Sequence, residues 1–386
     1  MIAYNKSDLE NNLLSQEAKL LLNTKFISKE KQKNISNQLD AFKTSENGFI
    51  RLAFFLLGCL LYSSILGSIS FFLMSAFESN YKIIPFIYFI IGSVGAEIIT
   101  KQTYFRHGLE DAFILGLQIS ICVAIGINTE TFLYSFITMI FIGIACAIRY
   151  IHTISALSSC IGIVLTVFYS VVEYKIIDAL YLPFFGLLIA ALLFLICKKL
   201  SKNSEFYIYK NAIQIVEIFS YLLAYFSLNY LVVRELSQEL LHIVVTKNND
   251  IPFAFVFYIL TFLIPVLYFY FALKNKDRIL FYISILTLVF SIFTIRYYYS
   301  ILPIEIALTI GGIILFLLSY FTIRFLKNKE TGITFQEDRN SEKSIFLNAQ
   351  ALIINSQTSS SQSEIPQSDM EFGGGGFSGG GANGNY

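Results

Sequence analysis

Apolar residues fall in blocks of seventeen or more along most of the chain, and no other feature narrows its folding so far. A helix rises 1.5 Å per residue, so each block matches a hydrocarbon core about 30 Å thick. A soluble helix would instead set an apolar stripe against a polar face. Charged residues make up only 14% of the 386, with 55% apolar, where a soluble domain carries about 25% charged. The expected fold is all-α, a polytopic transmembrane bundle whose surroundings are the lipid bilayer.

Ten spans fit the pattern: 50–75, 83–100, 109–128, 130–148, 153–173, 179–197, 211–233, 251–273, 279–295 and 301–326. With that number, both ends and every second connection share one side, which then holds 23 of the 28 Lys and Arg residues. Basic residues gather in the cytosol, so the sequence predicts an inner-membrane protein with both termini cytoplasmic. No cleavable leader is expected, because residues 1–48 are polar and the first apolar block starts at Phe49. The net charge of +1 gives no basic field for nucleic acid. The five cysteines sit in or at the ends of apolar blocks without CxxC spacing and read as small packing residues.

Residues 1–48 read as a cytosolic helical hairpin. Ser7 and Glu10 fit a capping box for a first helix with Leu9, Leu13 and Leu20 on one stripe. Ser28 can cap a second helix, striped by Ile35, Leu39 and Phe42. Such short helices need packing against each other, the membrane-domain loops or a partner. Residues 327–386 change to a Ser/Gln-rich and then Gly-rich composition, with eight glycines in the last fourteen positions. That composition predicts a disordered tail.

The seventh span carries the most informative polar pattern. Gln214, Glu217, Tyr221, Tyr225 and Asn229 recur at three- and four-residue steps, forming a seam on one helical face. A charge near mid-bilayer costs about 2.5–3.5 kcal/mol on insertion scales, so Glu217 must face protein, a cavity or a proton path. Either it is a proton- or cation-coupled carboxylate in a transport pathway, or a protonated, hydrogen-bonded packing residue. Other charges have simpler expectations: Glu97 pairing with Lys101 one turn on, and Glu110, Asp111 and Glu305 at span boundaries. His107, His152 and His242 read as loop residues, the first two able to meet on the inner side. No metal, phosphate-loop or nucleophile motif occurs and no cofactor is expected. Pro85, Pro183, Pro252 and Pro303 fit first-turn positions, while Pro265 falls mid-span and should kink the eighth. Ala112, Gly116, Ser120 and Ala124 form a small-residue ridge for close helix packing.

The stretch Leu20 to Gln32, followed by Phe55-Leu56-Leu57-Gly58, resembles an uncharacterised family of bacterial membrane proteins with a short cytosolic helical segment before the spans. The likeness covers about the first 75 residues and lacks the tryptophans expected near the end of the first span. The closing Phe-Gly-rich run is similar to the tails of TPM-domain membrane proteins, without the domain itself. Neither likeness implies an activity. The leading expectation is a non-enzymatic envelope or assembly component of a bacterial inner membrane, docking a protein partner through 1–48 or the Gly-rich tail. The alternative is a small-solute or lipid transporter using the seventh-span seam. A polytopic glycan or lipid enzyme ranks third, given the short outer loops.

Overall fold

The computed structural model describes residues 2–23, 26–39, 42, 44, 47–73, 81–175, 177–241, 250–298 and scattered positions from 303 to 324. Two short helices, α1 (Lys6–Asn23) and α2 (Lys29–Gln38), precede the bundle. The bundle comprises α3 (Gly48–Leu73), α4 (Ile84–Lys101), α5 (Leu109–Thr129), α6 (Phe132–Tyr150), α7 (Thr153–Tyr174) and α8 (Leu182–Leu200), then α9 (Lys210–Leu228), α10 (Tyr230–Leu241), α11 (Ala254–Asn275) and α12 (Arg278–Tyr298). Among the described residues, nine helices are long and apolar enough to cross a membrane, and they match the first nine expected spans. The tenth, 301–326, lies largely outside the described residues, as do 327–386 and the 242–249 segment with His242. Large apolar side chains cover the outside: Phe71 is 79% exposed, Phe141 69% and Phe255 74%. A soluble monomer rarely exposes more than a few hundred Å² of contiguous apolar surface, whereas lipid covers such a belt without cost. The chain is an integral, multi-pass membrane protein.

The amino-terminal hairpin is held in two places. Ala18, Ile27 and Ile35 close α1 on α2. Tyr4, Leu9 and Phe42 join Phe105 and Ile151 from two loops of the bundle. Tyr4 meets Phe42 and Phe105 edge-on at 5.4 and 5.0 Å, and Ala3 N–H donates to the Arg149 carbonyl at 2.8 Å. Ser28 caps α2 as expected, accepting from Lys31 N–H. At α1 the expectation shifts: Asn5 Oδ1 accepts from Ser7 N–H, so Ser7 lies inside the helix. The buried face of α1 accordingly runs through Leu9, Asn12, Ser15 and Ala18.

In the first half of the bundle α5 packs between α3, α4 and α6. Its small-residue ridge has the expected role: Gly116 lies flat under the Tyr62 ring of α3, whose hydroxyl sits 3.1 Å from Ser120 Oγ. In the second half α9 touches α7, α8, α10, α11 and α12, making it the axis around which this half is built. Pro85 and Pro183 occupy the first turns of α4 and α8. Pro265 lies inside α11, which continues as one helix through it. The proline leaves the Thr261 carbonyl without its helical N–H partner, and the Ser291 hydroxyl of α12 donates to it at 2.6 Å.

Candidate functional site

The seam divides at the level of Tyr221. Its first half, Gln214, Glu217 and Tyr221, lines a cavity of about 370 Å³. The cavity lies between the C-terminal end of α8, the turn 204–209, the start of α9 and the Asp277 turn between α11 and α12. That volume falls within the range typical of small-molecule sites, about 300–1,000 Å³. Lys198, Lys202 and Lys210 also line it, on the face of the bundle that carries the hairpin. Deeper in, the Tyr221 ring is fixed edge-on to Tyr268 at 5.4 Å and against Phe194 at 5.3 Å. Tyr268 also donates its hydroxyl to the Tyr221 carbonyl. Glu217 thus lines a cavity at one end of the bundle.

The second half of the seam is sealed. Tyr225 and Asn229 are fully buried. Asn229 interrupts the expected span 211–233: its backbone is extended, ending α9 at Leu228, and its Oδ1 accepts from Leu231 and Val232 N–H to cap α10. With the oxygen so placed, Nδ2 donates to the Tyr225 hydroxyl at 2.9 Å and to Thr294 Oγ1 at 3.1 Å. Ser291 Oγ lies 2.6 Å from the Thr261 carbonyl and 2.8 Å from the Thr287 carbonyl, so its single proton goes to a carbonyl and at the 2.8 Å contact between them Tyr225 donates to Ser291. The order is therefore Asn229 to Tyr225 to Ser291 to the Thr261 or Thr287 carbonyl. A carbonyl holds no proton to pass on, so this chain is a closure and not a proton wire. Beyond it, Tyr230 donates to Asp250 and accepts from Arg234, whose guanidinium lies 4.2 Å from the Tyr298 ring.

A second polar centre lies at the hairpin end of the first half, and there the sequence expectations need correction. Glu110 and Asp111, expected at an interface, are 2% and 5% exposed, and His152, expected in a solvated loop, is 5% exposed. Asp111 Oδ2 takes the Arg51 guanidinium at 2.6 and 3.0 Å, and its Oδ1 lies 3.0 Å from His152 Nε2, off the line of a well-formed hydrogen bond. Glu110 accepts from His107 and Gly108 N–H and so caps α5. Glu97 pairs with Arg149 at 2.6 Å and with the Tyr150 hydroxyl at 2.7 Å across helices, in place of the expected partner Lys101. Tyr4 covers the centre, its phenol pushed up first by burial and then by the Glu110 and Asp111 carboxylates. Two of these burials had a sequence signal: acids two and three residues after Gly108 are the types that cap a helix start.

Ser155, His152 and Asp111 fall within hydrogen-bond reach of one another, with Ser155 Oγ 2.6 Å from His152 Nδ1. A serine hydrolase uses such a set, but here Ser155 is fully buried and also accepts from Gln118 Nε2. The adjoining space, about 10 Å³, holds no more than one water. His152 Nδ1 accepts from Ser155 N–H, the bond that starts α7. The set is a helix cap, with no place for a substrate.

Two polar centres remain to be compared with known proteins. No protein-family model matches the chain, and no curated protein or solved structure matches it. The two centres differ in geometry. The Asp111 centre is closed and internally paired, whereas the Glu217 cavity is open and large enough for a ligand. Among the described residues no group of His, Cys, Asp or Glu is placed to hold a metal ion.

Proposed function

We propose that the protein is a carrier for a small polar solute in a bacterial inner membrane, with its basic face in the cytosol. The observation that carries this reading is the division of one polar seam into an open half and a sealed half. Gln214, Glu217 and Tyr221 border a cavity at the basic face, and Tyr225, Asn229, Ser291 and Thr294 close the path toward the opposite one. Alternating access needs a site bounded by a gate. In this reading the gate is the Asn229 layer, and Glu217 exchanges a proton or binds the solute as the layer opens. The assembly reading draws less support, because the buried stripe of the hairpin is already used within the chain.

The test is uptake into proteoliposomes, using a panel of labelled sugars, amino acids and organic acids under an imposed proton gradient. Glu217→Gln should lower uptake of the accepted solute at least about tenfold, corresponding to about 1.4 kcal/mol, while the variant inserts and melts normally. Undiminished uptake by Glu217→Gln would remove the carboxyl from the mechanism.

A further inference from the structure

We propose that the Glu217 cavity takes a small organic anion, its carboxylate or phosphate group held by Lys198, Lys202 and Lys210. The proposal rests on the carrier reading and adds the chemical class of the ligand. Three ammonium groups line one cavity of about 370 Å³, together with two carboxyl groups. Asp277 Oδ1 accepts from Ile279 and Leu280 N–H and caps α12. Neither Lys198 nor Lys202 enters an ion pair among the described residues. Lys198 instead lies 5.6 Å from the Phe194 ring, and Lys210 lies 5.9 Å from the Tyr207 ring. The Phe194 face thus positions the Lys198 ammonium at the cavity while leaving donor protons for a ligand.

Placement differs among these lysines, and Lys210 departs from an ordinary membrane-boundary anchor. Lys198 stands in the last turn of α8, where a cation is favourable. Lys210 joins the 204–209 turn to α9 and donates its backbone N–H to the Tyr207 carbonyl, so it stands between two helical segments and not at a free helix end. It is also half-buried, while an anchor would extend into water. Three ammonium groups outnumber the two carboxyl groups at the cavity, and an anion would balance the positive excess. Seven residues separate Lys210 from Glu217, a helical rise of about 10 Å. A ligand of a few carbons can therefore seat its anionic group on the lysines and reach toward Glu217 and Tyr221 with a hydroxyl or amino group. The same anionic chemistry is offered by a free metabolite and by a lipid phosphate headgroup.

Full-length protein is melted in detergent with a thiol-reactive dye, which reports exposure of the buried Cys146, Cys160 and Cys197. Glycerol phosphate and succinate are the anionic probes, with glycerol and choline at matched ionic strength as controls. At least one anion should raise the melting temperature and both controls should not. Changing all three lysines to Gln should weaken that anion at least about tenfold, and changing all three to Arg should retain it. Should the triple Gln variant not fold, Lys198→Gln with Lys202→Gln, both exposed positions, must still weaken the anion severalfold. Repeating the melt in nanodiscs identifies the source. Phosphatidylglycerol that abolishes the response points to a lipid headgroup, and persistence in both phosphatidylglycerol and phosphatidylcholine points to a free solute. No response to either anion, or an equal response after loss of the lysines, overturns the proposal. If anions fail while Glu217-dependent uptake of a neutral or cationic solute persists, only the ligand class falls. If anions bind through the lysines but Glu217→Gln transports normally, only the carrier reading falls.

Discussion

Both N–H groups of the Asn229 amide donate and its oxygen accepts twice, so the side chain uses its full hydrogen-bonding capacity while fully buried. Replacement by Ala would uncap α10 and leave the Tyr225 hydroxyl without its donor. A lost cap costs about 1 kcal/mol and each buried membrane hydrogen bond about 0.6 kcal/mol. Asn229→Ala should therefore lower stability by roughly 2 kcal/mol, read as a reduced melting temperature. Asn229→Asp keeps the cap acceptors and should recover part of the loss; full stability of the Ala variant would contradict the network. Asp111 belongs to the same class of residue. It answers Arg51 and His152 in a nearly dry setting, where removing one partner of an ion pair leaves the others uncompensated.

Element by element, the legible features were those set by local spacing. The apolar blocks predicted the nine described spans, and Ser28, Pro85 and Pro183 set two kinds of helix start, while Pro252 lies ahead of the first turn of α11. What spacing cannot carry is a partner from another helix. The consequence of Pro265 depended on Ser291, twenty-six residues further on, and Glu97 found Arg149 where the nearer Lys101 was expected. The hairpin also joins distant pieces, since Tyr4 and Phe42 are buried only because Phe105 and Ile151 lie on the same face. Tyr4→Ala with Phe42→Ala should release it, each aromatic truncation costing about 3 kcal/mol of docking. Hydrogen exchange should then rise in α1 and α2 with the spans unchanged. Unaltered protection of both helices would show that the hairpin does not depend on this contact.

At the scale of the whole molecule, the exterior differs from that of a soluble protein, while the core is apolar in both. Phenylalanine and leucine cover the outside, and Ser, Thr, Asn and Tyr link the helices within, around α9. The Gln214-to-Asn229 seam was visible in the sequence as a periodicity. Its division into an open and a sealed half was not, because that depends on where α8, α11 and α12 stand beside α9. The same holds for Lys198, Lys202 and Lys210, which the sequence shows only as part of a basic connection. The central claim of the proposed function is that this seam opens to the face carrying the hairpin, proposed as the cytosolic one, and to no other. Its most direct test is labelling of Gln214→Cys and Tyr225→Cys, in a background without the five native cysteines, by a membrane-impermeant maleimide. Gln214→Cys should react in everted vesicles and not in right-side-out ones, with Tyr225→Cys unreactive in both; labelling of Gln214→Cys from the outer face, or from neither, would contradict the account.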